Sequence, residues 1–470
     1  MSETELPETE VETNQLGNQL DGDDRLKPEF VRAVLDAVYD GVPESARALV
    51  EPLHPADIAD LFELLPAEAR TELAKSITDL LDGDVFAEMN DYVREELIDS
   101  LSASEVADIA SELDTDDAVA IIEDMEPADQ REVLRALDPD DRAAIEEALS
   151  YPEESAGRLM QRELIAVPEH WSVGDVLDYL RGHDELTTDF WEIFVVDPAH
   201  KPVGTVALSW VLRTPRSIAI ADVMQREQTL IPVDMDQEEV ALRFQKYALI
   251  SAAVVDTGGR LVGMITVDDV VHIISEEAGE DILKLSGAGE GDINEPIRLT
   301  VRTRITWLVV NLGTAMLAAS VVGAFQGEIA RFALLAVLMP IVSGMGGNAG
   351  TQTLAVVVRA LATNQLTSSN TQRMIAREFT IAAANGTMLG VLIGFGTWLF
   401  FGNIDLAIVI AMSMVINNLI AGLSGVLIPV TLDRLDIDPA VSSAVFVTMM
   451  TDVMGFFSFL GLATLFGLGA

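Results

Sequence analysis

Asp452 is the only charged residue in a long apolar stretch, Val441–Leu460, which reads VSSAVFVTMMTDVMGFFSFL. A bilayer span takes about 20 residues, and a carboxylate inside one costs roughly 2.5–3.5 kcal/mol unless it meets water, a partner or an ion. The residue types therefore point to a cation site in a pore, the alternative being an aspartate bonded to a neighbouring helix. Pro340–Gln352, PIVSGMGGNAGTQ, adds four glycines, a proline, Asn348 and Gln352. This composition predicts a broken helix whose freed carbonyls join the two amides as hard oxygen donors for a magnesium-like ion or its waters. Close packing through small residues is the competing explanation. Asn417 and Asn418 read as interhelical bonds, and Gly422, Gly425 and Pro429 as packing and a bend.

The remaining chemistry is acidic and lies elsewhere. Residues 301–470 balance seven acids with seven arginines, so residues 1–300, with 69 acids and 22 bases, carry the whole net charge of −47. Such a surface repels nucleic acid and anionic headgroups and attracts cations, which excludes a nucleic-acid partner. Only five of the basic residues are lysine, a balance that suits a salt-rich, halophilic cytoplasm. There is no cysteine, and five histidines stand without ligand spacing, so neither a thiolate site nor a zinc or iron centre is expected. No nucleophile–base pair is visible, and the chain is expected not to be an enzyme.

Several elements must position these groups. Residues 1–24 read as a disordered acidic tail with no apolar core for a signal peptide. In residues 25–152, LHPADIADLFELL (Leu53–Leu65) returns 48 residues later as LSASEVADIASEL (Leu101–Leu113), which predicts a small all-α superhelix. Exposed acids there, such as Glu105 and Asp108, form a solvated face or bind divalent ions. In residues 153–280, Leu159–Glu163 returns as Val223–Glu227, and FVVDPAHKPVGTV (Phe194–Val206) as AVVDTGGRLVGMI (Ala253–Ile265). Each copy reads as strand, helix, hairpin and helix, with five extra residues in the first copy near 182–191. This layout resembles a tandem pair of α/β CBS domains, a module that binds adenine nucleotides or metals. Gly263, Thr266 and Asp269 match its ribose-contacting pattern, whereas the first copy has Gly204 and Ser209 without the aspartate; a cap and turn without ligand is the alternative.

Residues 281–303 read as a connecting helix jointed at Gly287–Gly291, and 304–470 as a membrane domain. Five hydrophobic segments follow, near 305–325, 329–358, 375–401, 406–430 and 439–468. An odd number of crossings puts Arg298, Arg302, Arg304, Arg359, Arg373, Arg377 and Arg434 on one side and only Arg331 on the other. The positive-inside rule then places the acidic domains in the cytoplasm of a multi-pass plasma-membrane protein.

Pro340–Thr363, Ala421–Ala463, the CBS pair and the helical repeat together resemble the MgtE family of magnesium channels. The resemblance implies a homodimer with five helices per subunit and a pore on the two-fold axis lined by the second and fifth. Asp452 matches the intramembrane aspartate that holds hydrated Mg2+, with Thr448 grouped beside it, and Asp438 matches an acid near the intracellular gate. Thr351 stands where some members have asparagine, a departure that weakens that contact. Physical chemistry is consistent with this, because Mg2+ gives up water reluctantly and paired carboxylates can select the hydrated ion. Cytoplasmic Mg2+ bridging acids such as Asp268, Asp269, Glu276, Glu277, Glu280, Glu105 and Asp108 would favour a closed state. The expected ligands are Mg2+ and, at the CBS pair, ATP or another adenine nucleotide; the expected partners are membrane lipid and a second copy of the chain. Two rivals stand beside the channel. One is a divalent-cation exchanger coupled to Na+ or H+, disfavoured because Glu378 sits near a span end and no other intramembrane acid offers coupling. The other is a non-transporting ion or nucleotide sensor, which has no use for Asp452.

Overall fold

The computed structural model describes residues 19–123, 125–182, 190–287, 293–435 and 437–468. Most of the expected tail, most of the extra residues of the first CBS copy and residues 288–292 of the expected joint lie outside these. The chain forms two compact units, Met1–Ile274 and Ser275–Ala470.

The first unit begins with ten short α-helices between Pro28 and Ala148, counted among the described residues. Proline at the first turn starts several of them, where its missing N–H costs nothing; Pro28, Pro43, Pro55, Pro127 and Pro139 do so. Their apolar faces close one core around Leu61, Phe62, Leu73 and Ile122. Three of these helices matter below: α1 (Gly83–Ala87), α2 (Ala103–Ala110) and α3 (Thr115–Glu123).

Two three-stranded sheets follow. In the first, β1 (Ala166–Pro168) lies parallel to β2 (Glu192–Val196), which pairs antiparallel with β3 (Pro202–Ala207), Ile193 opposite Val206. The second repeats the order with β4 (Leu230–Pro232), β5 (Ser251–Val255) and β6 (Leu261–Thr266), Ala252 opposite Ile265. The repeated aspartate builds both hairpins. Asp197 Oδ1 accepts the N–H groups of Ala199 and Lys201 at 2.8 and 2.9 Å, and Asp256 Oδ1 those of Gly258 and Arg260 at 2.8 Å each. Such Asx turns explain why VVD marks a turn.

Each copy also completes the other. Gln161, from the first motif, exchanges two backbone bonds of 2.9 Å with Met264 on β6; Gln225, from the second, exchanges bonds of 2.8 and 3.0 Å with Thr205 on β3. The approach is so close that a Cβ on Gly263 would stand 2.9 Å from the Gln161 carbonyl, and one on Gly204 2.8 Å from that of Gln225. These two glycines are packing positions.

One helix, α4 (Val267–Ser286), follows β6 without a break. The sequence places a connecting helix at 281–303; instead α4 begins earlier and stops at Gly287, whose φ of +67° favours glycine. Then α5 (Ile297–Ala324) begins the membrane bundle, with a short helix Gln326–Arg331 before α6 (Leu334–Ala362), α7 (Thr371–Phe401), α8 (Ile404–Asp433) and α9 (Pro439–Leu465). Five of the described helices are long and apolar enough to cross a membrane. The central one is α8, which packs against α6, α7 and α9, while α5 leans mainly on α9. Exposed Leu308, Leu312, Val391 and Leu399 give the bundle an apolar exterior.

The expected break at Pro340–Gln352 is absent, and α6 runs through it with Pro340 inside. The reason lies on α8. Asn417 is fully buried, and its Nδ2 donates to the Val342 carbonyl at 2.8 Å. A Cβ on Gly346 would stand 2.0 Å from that same nitrogen. Gly346, and Gly350 against Val447, therefore admit neighbouring helices rather than release carbonyls.

Candidate cation sites

In the membrane bundle the side chain that answers Asp452 is Ser343. Its hydroxyl on α6 donates to Asp452 Oδ1 on α9, across 109 residues of sequence. Asp452 is only half-buried, so this bond holds one carboxylate oxygen and leaves the other available. Thr448 is exposed, one turn before Asp452 on the same helix face. On α6, Gly347 and Thr351 continue the stripe of Ser343 at four-residue spacing, and Thr351 Oγ1 donates to the Gly347 carbonyl at 3.0 Å. Ser343 lies inside the quoted motif but is not among the sequence-selected residues; its four-residue spacing from Gly347 and Thr351 was the available signal.

The two amides do not join this stripe. At about 100° per residue, Asn348 lies about 140° and Gln352 about 180° around the helix from Ser343. Asn348 is exposed. Gln352 lines a cavity of about 200 Å³ with Thr353, Glu378, Asn385 and Asn418. Glu378 is buried there and accepts a bond from Thr353 Oγ1 at 3.3 Å, so its place near a span end does not make it superficial. Asn417 bonds between helices as expected, whereas Asn418 Nδ2 donates within its own helix to Met414 at 2.8 Å.

At the start of α9, Asp438 Oδ1 accepts the Ala440 N–H at 2.7 Å and caps the helix. Its other oxygen meets Lys284 Nζ at 3.2 Å, and Lys284 also meets Glu280 at 2.5 Å. Burial works against the Lys284 charge, but the Glu280 and Asp438 carboxylates outweigh it and hold the ammonium well above the usual lysine range. Lys284 was not foreseen from the sequence. Glu276 and Glu277 lie on the same helix, α4, with Glu276 exposed.

The first unit gathers a denser acidic ground. Asp114, Asp116 and Asp117 sit at the start of α3, near Asp84 and Glu88 of the α1 region, Glu163, and Asp268 and Asp269 at the start of α4. Burial first, then Glu163 and Asp269, pushes Asp114 up to about 6. Burial, Asp269 and Asp114 push Asp117 up to about 6 as well. Asp116 is raised well above its ordinary value by burial and by Asp269, Asp117 and Asp114. Its Oδ1 is buried with no hydrogen-bond partner. Helix N-termini favour acids, but an orphaned carboxylate oxygen among acids exceeds what capping requires. Among the described residues, no three acidic or histidine side chains stand close enough to hold a bare ion.

Two sequence-selected acids have structural duties instead. Glu105 forms a capping box on α2, accepting the Ser102 N–H at 2.8 Å and hydroxyl at 2.7 Å, and these bonds hold it below its ordinary value. Asp108 is simply exposed. Thr266 and Asp269 cap α4: Thr266 Oγ1 donates to Asp269 Oδ2 at 2.7 Å. The cap and turn offered as the alternative to a nucleotide site are thus present.

Family models match three parts of the chain: an "MgtE intracellular N domain" over 53–154, CBS domains over 156–209 and 220–276, and the MgtE "divalent cation transporter" over 339–462. The chain is 34% identical over 327 residues to the magnesium transporter MgtE of Thermus thermophilus, covering 68% of this chain and 72% of that protein. The chain belongs to the MgtE family. It is also 31% identical over 320 residues to the magnesium transporter MgtE of Bacillus subtilis, covering 68% of this chain and 71% of that one. A crystal structure of the cytosolic domain of the Mg2+ channel MgtE in complex with ATP aligns at 29% identity and a TM-score of 0.47, over 52% of this chain and 99% of that chain. As an MgtE-family protein it is a multi-pass membrane protein with a soluble N-terminal part, its five apolar helices gathered at the C-terminal end.

Proposed function

We propose that the chain is a homodimeric, magnesium-selective channel that imports Mg2+ down its electrochemical gradient and closes when cytoplasmic Mg2+ binds its acidic soluble part. Magnesium as cargo follows from the relatives' names and from the chemistry of Asp452. The observation that supports the pore is the half-buried Asp452 on a stripe with exposed Thr448: Ser343 satisfies one of its oxygens, the interhelical bond of the alternative reading, but leaves the other available to an ion. A carboxylate so held binds a hydrated ion through its waters without stripping them, which suits Mg2+. For closure, the supporting group is the orphaned Asp116 among Asp114, Asp117, Asp268 and Asp269. Repulsion there falls when a hydrated divalent cation enters, so Mg2+ favours the state that gathers these acids. Glu276, Glu277, Glu280 and Asp438 extend the same role to α4 and the entrance of α9, with Lys284 supplying positive charge between the last two. An adenine nucleotide at Gly263, Thr266 and Asp269 fits best with Mg2+ present, because Asp268 and Asp116 otherwise repel its phosphates.

The exchanger gains one observation, the burial of Glu378, which supplies a second intramembrane acid for coupling. Proteoliposomes separate the readings. The channel predicts Mg2+ entry driven by the Mg2+ gradient alone, reduced to background by Asp452→Ala. Entry that instead follows an imposed Na+ or H+ gradient and stops in Glu378→Gln would establish exchange. No entry by the folded wild type would leave a sensor.

A further inference from the structure

A cavity of about 610 Å³ opens where the C-terminal end of α6 meets the start of α7. Arg359, Arg373 and Arg377 line it with Gln365 and Asn370, and no acid does; Leu366 and Met374 supply apolar surface. The connecting turn is built rather than loose. Asn370 Nδ2 donates to the Gln365 carbonyl at 2.8 Å, its Oδ1 accepts the Thr367 N–H at 2.9 Å, and Leu366 N–H bonds Ala360 O at 2.7 Å. Leu366 and Met374 are themselves fixed in a small core with Val357, Val426 and Val430.

The charge here runs against the rest of the chain. With 76 acids for 29 bases, several arginines elsewhere find carboxylates, though not all do: Arg47 bonds Asp79, Arg70 bonds Glu96, Arg158 bonds Glu123 and Arg216 bonds Asp178. Among the described residues the guanidinium groups of Arg359 and Arg373 have no ion pair, and Arg377 comes only within 4.0 Å of Glu378. The positive-inside tendency accounts for arginine on this side, but not for three around one cavity with an apolar floor.

We propose that this cavity holds the phosphate of an anionic lipid drawn from the cytoplasmic leaflet. Guanidinium forks match phosphate oxygens in pairs, and basic pockets between membrane helices on the cytoplasmic side take anionic headgroups. The volume falls within the roughly 300–1,000 Å³ of pockets that enclose small organic ligands. Leu366 and Met374 meet the glycerol and first methylenes, which a free anion lacks. The inference does not depend on which ion the pore conducts.

The test is native mass spectrometry of the purified full-length protein, with retention of phosphatidylglycerol compared against phosphatidylcholine, glycerol 3-phosphate and inorganic phosphate. Selective retention of phosphatidylglycerol is expected, with loss of about tenfold or more in the double variant Arg359→Gln/Arg373→Gln. Arg434→Gln, outside the cavity, should retain it. Arg359→Lys/Arg373→Lys keeps the charge and the fold but not the fork, and should fall between. Retention in the Gln double variant equal to wild type overturns the proposal. So does equal displacement of phosphatidylglycerol by inorganic phosphate, which would make this a free-anion site.

Discussion

Asp452 and Asp116 are both half-buried carboxylates, and the molecule treats them in opposite ways. Asp452 is solitary, in an otherwise apolar helix, and a serine hydroxyl satisfies one of its oxygens. Asp116 is crowded by Asp114, Asp117 and Asp269, and one of its oxygens bonds nothing. A solitary, hydrogen-bonded acid has a fixed geometry and can discriminate among ions. A crowd of acids stores repulsion that any suitable cation relieves, so it responds to concentration. On the proposed function, selection and sensing call for different surroundings of the same side chain.

This contrast can be broken at either end. The largest effect is expected from Asp452→Ala: Mg2+ entry should fall to background, while Mg2+ still raises the melting temperature of the protein. Loss of both responses would mean that the two acids are not separable. Asp116→Asn with Asp117→Asn should do the reverse. Conduction persists, the Mg2+ concentration for half-closure rises several-fold, and the metal-free protein melts at a higher temperature as repulsion is removed.

pH offers a finer separation. Asp114 and Asp117 titrate near 6 in the folded protein, above the unfolded carboxylate value of about 3.9. The folded state therefore binds more protons between those values, and these groups' contribution to stability is lost as pH rises from about 4 to 6. Mg2+ bound there as proposed would compete with those protons, so its stabilising effect, read as a shift in melting temperature, should grow over the same window and level off above it. A shift independent of pH from 4 to 7 would dissociate these acids from Mg2+ binding. The smallest effect belongs to Ser343→Ala, which removes a supporting bond worth about 1–3 kcal/mol. Mg2+ entry should fall only a few-fold, with selectivity over Ca2+ eroded in mixed-ion flux assays.

Local patterns in the sequence were legible because local physics fixes them. Twenty apolar residues make a span wherever they pack, and an aspartate two residues before a turn N–H makes a hairpin. Asp452 stood out for the same reason, since one charge in an apolar run has few explanations. Contacts across long separations were not legible. Pro340–Gln352 looked like a break because Asn417, which fills the notch at Gly346, lies some seventy residues away. The sequence singles out Glu105 and Asp108 and passes over Asp116, because only folding brings α3 beside the start of α4 and gives Glu105 to Ser102. Glu378 looked superficial because sequence gives depth along a helix but not which face its neighbours cover.

The exchange of Gln161 and Gln225 between the two sheets has a consequence for how this protein can change over time. Each copy carries the peg for its twin and the glycine socket that receives the twin's peg. Neither copy can be cut away without leaving a socket empty and a peg exposed. Substitution at Gly204 or Gly263 is constrained by a segment encoded tens of residues away in the other half. The duplication has become an obligate pair, in which drift within one copy is policed by the shape of its twin.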